Sequence, residues 1–158
     1  MTDPISSSDF TQALAEGRPV GPPLIGALLR MPWETVRERM LERLHEHGLD
    51  DLDAAHLTVF QYPGPQGARP SDLAVSLRMS KQALNYLLGQ LERHGYLWRR
   101  ADPEDLRSKR IELTARGESV VRVIRDAVTE LEGEWAARLG ERRFAQLRTL
   151  LIELNREA

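Results

Sequence analysis

Residues 70–117 read PSDLAVSLRMSKQALNYLLGQLERHGYLWRRADPEDLRSKRIELTARG, and the changes of period within this stretch decide the fold. Leu73, Ala74 and Leu77 form the apolar side of a short helix, with Ser71 as its expected N-cap. Arg78-Met79 is a tight connection to Ser80, the next expected N-cap. From Lys81 to His94 the leucines 84, 87, 88 and 91 recur on one helical face, and Gly95 closes the helix. The period then changes. Tyr96 to Arg100 reads as a strand, Asp102-Pro103-Glu104-Asp105 as a turn, and Lys109 to Leu113 as an alternating, half-buried strand. Thr114 is the N-cap candidate of a long helix that follows. Two short helices joined by a tight turn and followed by a basic hairpin make a helix-turn-helix with a wing. The expected fold class is mainly α with a small antiparallel β wing: a winged helix-turn-helix core with N- and C-terminal dimerisation helices.

The second helix presents Lys81, Gln82, Asn85, Tyr86, Gly89 and Arg93 opposite its leucines. An α-helix fits the major groove of a DNA duplex, with its N-terminal residues nearest the base edges. Lys81 can donate to guanine or to phosphate. Gln82 and Asn85 can pair with adenine, because an amide offers a donor and an acceptor together. Tyr86 can touch a thymine methyl or bond a phosphate, and the Ser80 hydroxyl suits a phosphate as well. Arg107, near the hairpin tip, suits a narrow minor groove. Arg99, Arg100, Lys109 and Arg110 would add phosphate contacts, and Asp105 is expected to brace the wing by pairing with a neighbouring cation. Between Arg78 and Arg110 eight basic residues face four acidic ones, a local +4 in a chain of formal net charge −2. Each of these residues taken singly reads equally well as ordinary surface; their order and spacing carry the reading.

Working outward, residues 1–23 are rich in Ser, Pro and Gly and read as a tail with room for one short helix. Residues 24–53 hold a helical stripe, Leu24, Leu28, Val36, Met40 and Leu44, and the connection after it; Pro32 is expected to kink or split that helix. The winged core is placed at 54–115, opening on a short helix, Ala54 to Gln61, that Asp53 caps. Residues 116–158 carry two more helices, with stripes from Val120 to Leu139 and from Phe144 to Leu154. These stripes are long for so small a core, and a second copy of the chain is the expected partner. A two-fold dimer would set two recognition helices about 34–36 Å apart, over a palindromic site.

The composition narrows the function classes. With no cysteine, the chain has no disulfide, thiolate ligand or thiol nucleophile of its own. No apolar run approaches the ~20 residues that cross a bilayer, so no membrane partner is expected. Met1 to Gly17 lack a basic-then-apolar signal, and a cytoplasmic protein is expected. No phosphate loop or nucleophile elbow is present, and His45 and His47 point to different helix faces; neither an enzyme nor a cofactor is expected. Two other readings stay open. Glu42, His45, Glu46, His47, Asp50, Asp51, Asp53 and His56 form a run of metal-ligand types, which would suit a metal-responsive regulator of the same fold. The outward Gln82, Asn85, Tyr86 face could equally bind protein, as an interaction module without DNA.

Residues 70–117 also closely resemble the winged helix-turn-helix core of the multiple-antibiotic-resistance regulator (MarR) family. The resemblance rests on Asp72-Leu73-Ala74, on Ser80, and on Leu91-Glu92-Arg93-His94-Gly95-Tyr96. It continues in Asp102-Pro103-Glu104-Asp105-x-Arg107-Ser108-Lys109-Arg110 and Leu113-Thr114-x-x-Gly117. It implies an obligate homodimer with interlocked terminal helices, recognition by Ser80 to His94, and Arg107 in the minor groove. It further implies repression of transcription, relieved by a small aromatic or phenolic anion bound between the dimer helices and the DNA-binding lobe; Trp33, His56 and Tyr62 are candidates to line that site. Asn85, Tyr86 and Gly89 depart from the family's usual residues on the reading face, so no operator preference carries over.

Overall fold

The computed structural model describes residues 24–61, 64–103 and 105–156. The expected tail over 1–23, and Tyr62, lie outside them. The elements are α1 (Ile25–Glu46), α2 (Ala54–Phe60), α3 (Pro70–Ser76), α4 (Lys81–Arg93), β1 (Leu97–Asp102), β2 (Asp105–Leu113), α5 (Ala115–Leu139) and α6 (Glu141–Arg156). They form the winged helix fold read from the sequence, mostly helical with one two-stranded antiparallel sheet. The chain divides into two compact units, Met1–Val36 and Arg37–Ala158.

Within the first unit the described residues are the N-terminal half of α1. Leu24, Ile25, Leu28, Leu29, Met31 and Trp33 are all exposed there. The helix runs unbroken through Pro32, so the expected split does not occur. Proline fixes a φ that suits a helix, and its missing N–H removes only one bond of the ladder.

The second unit holds the winged core. The C-terminal half of α1 buries Met40 and Leu44 and ends at Gly48, where the Gly48 and Leu49 N–H groups bond back to the His45 and Leu44 carbonyls. That end is a Schellman motif, with the glycine at φ 71. Two exposed ion pairs, Arg39–Glu134 (2.8 Å) and Arg43–Glu130, join this half of α1 to α5. Asp53 caps α2 as expected, and the His56 side chain completes a capping box.

One local expectation needs correction. Ser71 is not an N-cap: α3 begins two residues earlier than that cap implies, with Pro70 in its first turn and Arg69 at the cap position without a side-chain bond. Proline is favoured there because its fixed φ suits the helix and no N–H is needed. The expected turn is present, with Asp102 paired to Asp105 across it; Asp102 also ends β1 and is completely buried.

Helix α4 buries Leu84, Leu87, Leu88 and Leu91 and ends in a second Schellman motif at Gly95. Strand β1 pairs with β2 from Leu97↔Leu113 to Ala101↔Lys109. The chain just before α3 adds a further rung, since Gly67 N–H bonds Ile111 O at 2.8 Å and Ile111 N–H bonds Ala68 O at 3.0 Å. Thr114 caps α5 by accepting the Gly117 N–H, and Gly140 separates α5 from α6. Val120, Ala127 and Leu131 of the α5 stripe are buried, as is Phe144 of α6, whereas Leu147, Leu150, Ile152 and Leu154 are exposed.

Candidate nucleic-acid interface

Helix α4 is positioned from beneath by its four buried leucines, which turns the opposite face outward. Lys81, Gln82, Asn85, Tyr86 and Arg93 are all exposed on it. Ser80 caps the helix, its hydroxyl oxygen accepting the Ala83 N–H at 3.1 Å. Tyr86 is 66% exposed, and its hydroxyl accepts from Gln90 Nε2 at 3.3 Å. A Cβ on Gly89 would lie 3.7 Å from Arg93 Nη1, so the guanidinium lies beside the glycine. Amide, ammonium, phenol and guanidinium groups thus stand on one convex helical surface.

The wing is fixed to this helix by ion pairs that sequence reading missed. Glu92, in the last turn of α4, accepts from Arg99 Nε at 2.9 Å, from Arg99 Nη2 at 2.6 Å and from the Arg99 N–H at 3.1 Å. Partial burial pushes the Glu92 carboxyl up, but the Arg99 contacts outweigh it and hold the group below its ordinary value. At the far end of β1, Asp102 takes Arg69 at 2.8 Å and Arg110 at 3.0 Å, with the Ser108 hydroxyl 3.4 Å away. A carboxylate that is 0% exposed needs such partners, since an uncompensated buried charge is costly. Arg100 pairs with Glu112 across the strands at 2.9 Å.

These pairs sort the wing cations. Arg99, Arg100 and Arg110 are each paired with a carboxylate of the chain, Arg100 at the surface. Arg107 and Lys109 are exposed and have no ion pair within 4 Å among the described residues. Asp105 lies beside Arg107 but meets it through the main chain: its Oδ1 accepts the Arg107 N–H at 3.1 Å, while Ser108 Oγ donates to the Asp105 carbonyl at 3.0 Å. Among the described residues no ion pair is seen at Asp105; its bonds at the tip run through the main chain.

A second cluster welds α4 to α5. Tyr96, fully buried, donates to Asp51, whose two carboxylate oxygens each take Arg116 Nη2 at 3.0 Å. The Arg116 guanidinium lies 4.4 Å from the Tyr96 ring centroid and also donates to His94 O at 3.0 Å. Burial, then the bond to Asp51, pushes the Tyr96 phenol up to about 12. Burial alone would raise the Asp51 carboxyl, but Tyr96 and Arg116 hold it below its usual value. The Thr114 hydroxyl donates to Gly95 O at 2.6 Å, and the Thr114 N–H to Tyr96 O at 3.1 Å. Of the three residues read as possible pocket lining, Trp33 is exposed and His56 is buried in its capping box.

Comparisons with known proteins agree with this architecture. A sequence model described as the MarR family matches residues 47–108. The uncharacterised HTH-type transcriptional regulator YkoM of Bacillus subtilis (strain 168) is 31% identical over 85 residues, 54% of this chain and 54% of YkoM. The chain thus matches about half the length of that curated relative. Among solved structures, a mutant of S. aureus MepR bound to an oligodeoxyribonucleotide is 25% identical, with a TM-score of 0.53 over 86% of this chain and 99% of the other. The transcriptional regulator Tm0710 from Thermotoga maritima is 26% identical, with a TM-score of 0.54 over 82% of this chain and 90% of its own. Family match, relatives and fold converge on one likeness: residues 47–108 are similar to the MarR family, and the fold is that of winged helix-turn-helix regulators.

Proposed function

We propose that this chain is a sequence-specific regulator of transcription that binds double-stranded DNA as a homodimer. The observation that carries the reading is the joined surface of α4 and wing. A leucine-backed helix exposes Lys81, Gln82, Asn85 and Tyr86, and a hairpin held to it through Glu92–Arg99 exposes Arg107. In this reading α4 lies in the major groove, with Ser80 and Lys81 toward phosphate or guanine and Gln82, Asn85 and Tyr86 toward base edges. Arg107 enters the minor groove and Lys109 meets phosphate. Arg110 acts through Asp102 by holding the wing, and Asp105 shapes its tip. The DNA-bound structure of the MepR mutant supports the polyanion as partner.

The dimer rests on apolar surface left uncovered in each unit: Leu24 to Trp33 in the first, and Leu147, Leu150 and Leu154 in the second. Apolar faces of this extent favour burial against another chain. A small aromatic or phenolic anion that binds better to a dimer spacing unsuited to DNA would relieve repression, by a coupling of ~1–3 kcal/mol.

The deciding experiment is selection of duplexes from a random pool, followed by titration against salt. A palindromic motif should be enriched, and affinity should fall steeply as salt rises. Arg107→Ala should weaken binding to many sequences, whereas Asn85→Ala should change which bases are preferred. Failure of the wild type to retain any duplex at low ionic strength would refute the proposal.

A further inference from the structure

Arg78 stands in the turn between α3 and α4 with a φ of 52°, the one non-glycine residue in the left-handed region among the described residues. The turn is a third Schellman motif. The Arg78 N–H bonds Val75 O at 3.0 Å and the Met79 N–H bonds Ala74 O at 2.9 Å, the pattern that closes α1 and α4. At both of those ends the equivalent position is glycine, Gly48 at φ 71 and Gly95 at φ 75. The left-handed conformation is unfavourable for a residue with a Cβ and free of that penalty for glycine. The same chain therefore solves one geometric problem twice with the unstrained residue and once with a strained one.

The strained position carries the most delocalised cation available to a protein. The Arg78 side chain is exposed and has no ion pair within 4 Å among the described residues. It lies two residues before Ser80 and three before Lys81, at the edge of the proposed reading face. Strain kept at a surface position without an internal contact to account for it points to an external one.

We infer that Arg78 is a DNA-backbone contact: its guanidinium binds a phosphate beside the major groove entered by α4. The inference rests on the DNA-binding reading and adds a residue to it. A phosphate contact of this kind adds affinity and register without base preference. Its energetic signature differs from that of a structural residue, because removing the side chain relieves strain while weakening binding.

The test compares Arg78→Gly and Arg78→Lys with the full-length wild type. The probes are a fluorescein-labelled duplex recovered from the random-pool selection and the same duplex with its central bases altered. Arg78→Gly should melt no lower than wild type, and as much as ~2–4 °C higher, since strain relief offsets the unfolded-state entropy of glycine. It should bind both duplexes about 3- to 10-fold more weakly, with a log–log salt slope shallower by about 1 per protomer. Arg78→Lys should keep most of the affinity. A wild type that binds neither duplex overturns the interface and this inference together. A wild type that binds, with Arg78→Gly equal to it in affinity and salt slope, overturns the role of Arg78 alone. A fall in the melting temperature of Arg78→Gly also overturns it, because the arginine would then be serving the fold.

Discussion

Gly117→Ala tests the joint between the end of α4 and α5. A Cβ at Gly117 would sit 2.0 Å from Tyr96 O, 3.1 Å from the Tyr96 carbonyl carbon and 3.0 Å from Leu113 Cδ2. Non-bonded heavy atoms rest at about 3.5 Å, so the two backbones must part by more than about 1 Å. The atoms that would move are committed elsewhere. Tyr96 O accepts the Thr114 N–H at 3.1 Å, and the Gly117 N–H is the one that Thr114 caps, also at 3.1 Å. Losing the cap costs ~1 kcal/mol, losing the Thr114 bond about as much, and the residual overpacking ~1–3 kcal/mol. Alanine returns ~1 kcal/mol through its helix propensity. The net is a destabilisation of ~2–4 kcal/mol, or roughly 5–15 °C in melting temperature for a chain of this size. Gly89→Ala is the matched control. Its Cβ meets only Arg93 Nη1, at 3.7 Å, so the same substitution in α4 should stabilise by ~0.5–1 kcal/mol. Urea denaturation followed by far-ultraviolet circular dichroism, at one fixed protein concentration, reads both. A Gly117→Ala variant as stable as wild type would refute the close approach of α5 to Tyr96.

Other substitutions probe the remaining contacts. Asp102→Ala removes the buried carboxylate that holds Arg69 and Arg110 and should cost ~1–3 kcal/mol, since both guanidiniums keep partial contact with water; the same urea titration reads it, and no measurable cost would show that the buried carboxylate does not hold the wing. Tyr96 contributes stability that is complete below pH 10 and is lost as pH rises through its folded value of about 12. Phenolate absorbance should therefore show a late titration step near pH 12 that Tyr96→Phe removes. Asp51, Asp53 and Glu92 work in the opposite sense: their depressed values give stability that is present above the ordinary carboxylate range and lost as pH falls below it, so Asp51→Asn should flatten the acid limb of a stability–pH curve. Leu150→Glu with Leu154→Glu, at 55% and 60% exposed positions of α6, should weaken self-association by at least ~100-fold in sedimentation, because two leucines bury ~3 kcal/mol or more. Unchanged sedimentation would move the dimer contact off α6.

The elements were legible where the signal is local. The leucine face of α4, the caps at Asp53, Ser80 and Thr114, and the hairpin after Gly95 all follow from residues a few positions apart. Ser71 misled because a serine before an apolar run mimics a cap, while Pro70 already starts the helix. Asp102-Pro103 was legible as a turn, since an aspartate beside a proline is a usual turn dipeptide, whereas the burial of Asp102 was not. What makes this aspartate buried is Arg69, 33 residues away, and no local pattern encodes that pair. Asp51 is likewise invisible, since its partners Tyr96 and Arg116 lie 45 and 65 residues along the chain. Gly117 stood in the family motif, but its physical reason, the Tyr96 carbonyl where a Cβ would stand, appears only in three dimensions. The outward residues of α4 could be placed on one face from periodicity alone, whereas which wing cations stay outside internal ion pairs could not.

That last distinction changes what the charge of the segment means. Of the eight basic residues between Arg78 and Arg110, Arg99, Arg100 and Arg110 are held by Glu92, Glu112 and Asp102. Arg78, Lys81, Arg93, Arg107 and Lys109 remain without an ion pair within 4 Å among the described residues. The first set is tied to carboxylates of the chain and the second set is not. Each phosphate neutralised contributes about 0.9 to the slope of log affinity against log salt. A dimer using only the second set from both protomers can therefore reach a slope of no more than about −9, whereas one using every cation of the segment could reach about −14. Fluorescence anisotropy of a duplex across a salt series separates the two. A slope near the steeper limit would mean that the wing surrenders its internal ion pairs to DNA, and that the rigid union of wing and recognition helix does not survive binding. A slope at or below the shallower one requires no such rearrangement, and leaves Glu92 and Asp102 as fixed parts of the binding surface.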